Sequence, residues 1–208
     1  MPRLRKADRD QVMGDTRRRL LEAAAAEFAR AGYVGANINR ISVEAGFAKG
    51  TVYNYFPSKR ALLLDLLGEV AEAQTTFILQ RVREEQDPGR RLQRFFEAGL
   101  AFVEQNPTRS RVIIQLVYGP DVGFRAQVYR AYGPLLHAIV HEIIELGIAR
   151  GDFRPVDGDL AAASVMSLYL GSCSQLEPEG RIWLDPGQVA GLLLDGLRPR
   201  SAQASPVV

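Results

Sequence analysis

Between Ala45 and Lys59 the sequence reads AGFAKGTVYNYFPSK, crowding Lys49, Thr51, Tyr53, Asn54, Tyr55 and Lys59 into one short stretch. These side chains suit one kind of chemistry. Ammonium, hydroxyl and amide groups donate to phosphate oxygens, an asparagine amide pairs with the edge of adenine, and lysine donates to guanine. Gly50 in their midst would let a helix backbone approach a duplex closely. Asn37 and Asn39 lie just upstream and Arg60 just downstream. Charge placement agrees with such a use. The chain carries only +2 overall, yet residues 1–60 hold 12 Lys and Arg against 6 Asp and Glu, whereas residues 61–208 hold 14 against 18. The basic part is the part that would meet phosphates.

Other candidate groups are weaker. His137 and His141 stand four apart, a spacing that can chelate a metal, with Glu142 and Glu145 close by. HAIVH lacks the glutamate of a zinc-protease motif, and two histidines do not complete a site, so no metal is expected. Cys173 is the single cysteine and reads as core. No glycine-rich phosphate loop or nucleophile elbow is present in the sequence, so neither an enzyme nor a cofactor is expected. A helical-bundle enzyme or small-molecule carrier using His137, His141 and carboxylates stays as the alternative. No run reaches 18 apolar residues and no apolar stretch follows the basic N-terminus, so a cytoplasmic protein without membrane contact is expected.

The elements that must position these residues are helical throughout. Leu20, Ala24 and Phe28 recur at a spacing of four, giving a first amphipathic helix that should stop at Gly32. Asn37 offers an N-cap for a second helix with Ile38, Ile41 and Ala45 inward, and Gly46 can take the positive φ that ends it sharply. A third helix fits Lys49 to Tyr55, stopped by Pro57, and Ser58 can cap a fourth along Leu63, Leu66, Leu67 and Val70. Breaks at Asp87-Pro88-Gly89, Asn106-Pro107, Gly119-Pro120, 151–158 and 177–187 separate helices near 92–106, 108–118, 121–149, 158–175 and 186–197. The expectation is an all-α fold of about nine helices. It divides into a basic flexible arm (1–10), a three-helix helix-turn-helix domain (11–57), a larger helical domain (58–198) and a disordered tail (199–208).

At AEFARAGY and at AGFAKGTVYNYFPSK, followed by a leucine-rich helix, the chain resembles the TetR family of transcriptional regulators over about residues 14–68. GIARGDFRPVDGDLAAA resembles, more loosely, the turn before that family's dimerisation helices. The resemblance implies a homodimeric repressor of double-stranded operator DNA. Tyr53 and Lys59 would be phosphate anchors with Thr51 and Tyr55 beside the backbone, and Asn39, Lys49, Gly50 and Asn54 would face base edges. Two positions depart from the family pattern: Ala48 stands where serine is common, and Arg60-Ala61 where an acidic residue is common. Ala48 cannot cap the third helix, and Arg60 near a helix N-terminus makes sense if DNA phosphates neutralise it.

For the second domain the resemblance implies a small-molecule effector cavity and a four-helix dimer interface. Phe77, Phe96, Phe102, Phe124, Tyr129, Tyr132, Met166 and Tyr169 would line a mainly apolar or aromatic site, with Gln115, Tyr118 or His137 as polar handles. Ala162, Val165, Val189, Leu192 and Leu193, on the last two helices, would form the interface.

Overall fold

In the computed structural model the backbone is described for residues 6–199 and the side chains for residues 11–199. The described chain is all-helical. Its elements are α1 (Lys6–Gly35), α2 (Ile38–Glu44), α3 (Lys49–Tyr55), α4 (Lys59–Arg83), α5 (Pro88–Gln105), α6 (Pro107–Tyr118), α7 (Val122–Ala131), α8 (Gly133–Ala138), a π-helical turn (Ile139–Ile144), α9 (Glu145–Arg150), α10 (Gly158–Cys173) and α11 (Pro186–Leu197). Because α8, the π turn and α9 run on without a break, they form one rod, and the described residues then hold ten helices. An isolated bridge between Leu176 and Ile182 is the sole β pairing among the described residues.

Local chemistry explains the boundaries. Gly32 takes φ 66 and ψ 174, breaking the helical path of α1 where glycine is free to do so. Asn37 caps α2 through a 2.8 Å bond from the Asn39 N–H to its Oδ1, Ser58 Oγ accepts the Ala61 N–H, and Asp87 accepts the Arg90 N–H at α5. Gly46 sits at φ 76, and a Cβ there would also meet the Arg19 guanidinium at 2.7 Å. The helix expected over 121–149 is instead two. Gly133-Pro134 interrupts it, since the proline nitrogen has no hydrogen to continue the ladder and Tyr132 adopts φ −90, ψ 8 ahead of it. The stretch expected as a flexible arm is entered by α1 from Lys6 onward. Residues 1–5, with Arg3 and Arg5, and residues 200–208 of the expected tail lie outside the described residues.

Two compact units form. The first comprises the chain through Val70 together with Thr108–Val128, and the second comprises Ala71–Pro107 with Tyr129 onward. The first runs beyond residue 57 because Leu62, Leu63, Leu66 and Leu67 of α4 and Val112, Ile113, Leu116 and Val117 of α6 are buried apolar groups that need a common core. In the second, α5 packs on α11, α10 and the π turn, with Phe95, Phe96, Tyr169 and Leu194 buried. Arg91 joins this unit's turns, donating to the carbonyls of Glu85 (2.8 Å) and Glu142 (2.9 Å). The chain passes between the units three times, inside α4, at the start of α6 and inside α7.

Candidate nucleic-acid interface

The turn from Ala45 to Ala48 joins α2 to α3. Val52 and Phe56 anchor α3 from its inner side, each at most 2% exposed. The opposite side of α3 then has to face water, and it carries the donors. Lys49, Gly50, Tyr53 and Asn54 are exposed, with Thr51 and Tyr55 half-buried beside them. A Cβ on Gly50 would meet nothing within 4 Å, so no packing among the described residues demands glycine there. Asn39 and Arg40 are exposed on α2. Ala48 makes no side-chain cap for α3.

The connector from α1 to α2 is held by two charged groups. Glu27 is 1% exposed, and its Oε1 accepts the Asn37 N–H at 3.0 Å while Oε2 accepts two Arg30 bonds at 3.1 and 2.7 Å and faces Arg40 at 3.5 Å. Burial alone would push this carboxyl up. The Arg30 and Asn37 bonds and the charges of Arg30 and Arg40 together outweigh it and hold the group below its ordinary range. From the other side Lys59 Nζ donates to the carbonyls of Val34 (3.1 Å) and Ala36 (3.0 Å) and lies 4.9 Å from the centre of the Tyr33 ring. Next to it the Arg60 guanidinium stacks on Phe124 at 4.6 Å, and Tyr33 meets Phe124 edge-on at 4.6 Å. Sequence reasoning placed Lys59 and Arg60 toward phosphates. Glu27 and Tyr33 it missed, although Glu27 falls on the same helical stripe as Ala23 and Ala24.

The expected cavity residues do not form one group. Gln115, Tyr118 and Phe124 belong to the first unit, where Gln115 donates to the Ala29 carbonyl, Tyr118 is 58% exposed and Phe124 packs as just described. The others belong to the second unit. Phe77 packs edge-on against Phe102 at 5.6 Å and is covered by Arg81 at 3.5 Å, while Phe96 and Tyr169 cluster with Phe95. Tyr132 and Met166 are buried; Tyr129 and His137 are exposed. Beneath the rings runs a buried polar relay. Tyr132 donates to Gln74 Oε1 at 2.5 Å, and Gln74 Nε2 donates to the Tyr169 hydroxyl at 2.7 Å. Burial, reinforced by the neighbouring thiol, pushes both phenols well up, and burial pushes the Cys173 thiol up to about 12.

The His137 and His141 rings lie 4.2 Å apart at a tilt of 58° on the exposed side of the rod, with His141 Nδ1 paired to Glu145 at 2.6 Å. Among the described residues no group of three or more His, Cys, Asp or Glu could hold a metal ion, and no helix is long and apolar enough to cross a membrane. Of the expected interface residues, Ala162, Val165 and Val189 are buried within the chain itself, Leu193 is half-buried and Leu192 is 73% exposed. Leu160, at 67%, shares with Leu192 a groove of about 230 Å³ between α10 and α11.

Residues 20–66 match the family described as bacterial regulatory proteins, tetR family, and this span contains α2, the turn and α3 entire. These residues belong to the TetR family. Among relatives of this chain, the HTH-type transcriptional regulator YhgD of Bacillus subtilis is 25% identical over 86% of this chain and 93% of its own. Other curated relatives are matched over about half of their length. Two solved structures share the fold. FadR of Bacillus subtilis in complex with stearoyl-CoA superposes with a TM-score of 0.74 at 18% identity, covering 85% of this chain and 95% of its own. AibR in complex with isovaleryl coenzyme A and operator DNA gives 0.70 at 24%, covering 88% and 98%. The chain is thus a DNA-binding transcriptional regulator of this family.

Proposed function

We propose that the chain is a homodimeric repressor that reads a palindromic operator through α3 and is released by a mainly apolar small-molecule effector. The observation that carries this is the exposed donor set on α2 and α3, presented by an apolar underside of Val52 and Phe56. Asn39, Lys49 and Asn54 contact base edges; Tyr53, with Thr51 and Tyr55, holds the phosphate backbone. Two copies are needed to match a palindrome with recognition helices one turn apart, about 34 Å. Exposed Leu160 and Leu192 on α10 and α11 supply an apolar face on which a second copy can close. The effector binds in the second unit, and α4, which belongs to both units, conveys its effect. Acyl-CoA thioesters are the first class to assay, since FadR and AibR are each described with one.

The test is selection of duplexes from a randomised library by the purified protein, followed by mobility shift with and without stearoyl-CoA or isovaleryl-CoA. A two-fold symmetric site should be enriched, and one thioester should release it. Linkage requires the enriched duplex to change thioester affinity by the same factor, typically about 5- to 150-fold. Enrichment without symmetry would reject the dimeric reading. Equal thioester affinity with and without DNA would reject that thioester as effector.

A further inference from the structure

We propose that Lys59 is a positioning residue for base readout and not a phosphate contact: it fixes the peptide unit from which α2, with Asn39, departs. The proposal rests on α2 and α3 being the DNA-reading elements. The peptide between Ala36 and Asn37 is gripped on both edges by buried or half-buried charge. Its carbonyl accepts from Lys59 Nζ at 3.0 Å, and its N–H donates to Glu27 Oε1 at 3.0 Å. In a trans peptide these two groups point in opposite directions from one rigid plane, so the two bonds together fix the plane's orientation. Asn37 follows directly, at φ −118 and ψ 118, and its side chain caps the Asn39 N–H. The direction of α2 is therefore set by the Glu27 and Lys59 grip.

The ammonium is spent on this task. Of its three donors, two go to the Val34 and Ala36 carbonyls, and its charge lies over the Tyr33 ring. Its neighbours are better placed for phosphate: Lys49 and Tyr53 are exposed and make no such bonds to the connector. Loss of Lys59 should then blur which bases are read without removing a counterion-releasing contact.

The experiment compares wild type, Lys59→Met and Lys59→Gln on two probes, the duplex that the wild-type protein enriches from a randomised library and a shuffled duplex of equal composition. Circular dichroism melting confirms that each variant folds. Gln keeps an amide donor without charge and serves where Met does not fold. Positioning predicts that Met loses roughly tenfold in affinity for the enriched duplex, the discrimination of about one bidentate base contact. It also predicts little change on the shuffled duplex, an unchanged salt slope, and a smaller loss for Gln. A slope lower by about 0.9 with equal losses on both probes is the signature of a removed phosphate contact and would overturn the proposal. If wild type enriches no duplex, the assignment of α2 and α3 as the reading elements falls first, and the proposal with it.

Discussion

Replacing Glu27 tests how much of the DNA-reading unit depends on one carboxylate. In Glu27→Ala three losses combine. The Asn37 N–H loses its acceptor, worth about 1 kcal/mol because Asn37 is exposed and water can substitute. The paired bonds from Arg30 go as well, discounted to about 1 kcal/mol because Arg30 is half-exposed. Truncating a buried side chain removes about another 1 kcal/mol of packing. The expected cost is about 3 kcal/mol in urea unfolding at pH 7. Glu27→Gln keeps shape and the Asn37 acceptor and should cost about half as much. The pH dependence separates charge from shape. The folded carboxyl titrates below its ordinary 4.5, so its contribution is fully present above about pH 4.5 and is lost as pH falls through the lower folded value. The gap between wild type and Glu27→Gln should therefore close on acidification. A gap that stays constant down to pH 3, or a cost of Glu27→Ala below about 0.5 kcal/mol, refutes the reasoning.

Three further outcomes are expected. Gly99→Ala places a Cβ 2.5 Å from the Tyr169 ring and should lower stability by about 1 to 3 kcal/mol in thermal or urea unfolding, whereas Gly171→Ala, with nothing within 4 Å, should not. Cys173, pushed up to about 12 from 9.0, should alkylate roughly a thousandfold more slowly with iodoacetamide at pH 8 than an exposed thiol, and at the ordinary rate in urea. Because its folded value is raised, the stability it sustains is intact below about pH 9 and declines as pH rises toward 12. Leu160→Glu with Leu192→Glu, both at exposed positions, should give folded monomers in sedimentation; a persistent dimer would place the interface elsewhere.

Much of this architecture is legible in the sequence, because caps and breakers act locally. Asn37, Gly46, Ser58 and Asp87 each bond or bend within four residues of themselves, so their roles follow from spacing alone. Gly133-Pro134 carried the same kind of signal inside the stretch that was expected to be one helix. What spacing does not show is which distant groups meet. Lys59 reaches 23 and 25 residues back to its two carbonyls, and Tyr132 reaches 58 residues back to Gln74. Gln74 did leave a trace: it continues the stripe of Leu67, Val70 and Ile78, a polar residue on a buried face that must find partners there. Aromatic content does not show which unit a ring belongs to. Phe124 lies in the first unit, where it lines a cavity with Gln115 and Tyr33 and packs against Arg60, whereas Phe77, Phe96 and Tyr169 belong to the second.

The π turn at Ile139–Ile144 bears on how the C-terminal stretch tolerates changes in length. In an α-helix one added residue rotates everything beyond it by about 100°. A π turn absorbs the surplus residue as a local widening, and the flanking helices keep their phase. Beyond it, phase matters: Gly147 lies so close against Phe153 that a Cβ would sit within 2.2 Å of the ring, and Arg150 donates to the Gln86 carbonyl. Removing one residue inside 139–144 should therefore return the rod to plain α-helix with Gly147 still facing Phe153. Removing one inside α9 should turn that glycine away and set a larger side chain against the ring. Aligned chains of this family that differ by one residue here are best gapped inside the π turn, which keeps α10 and α11 in register.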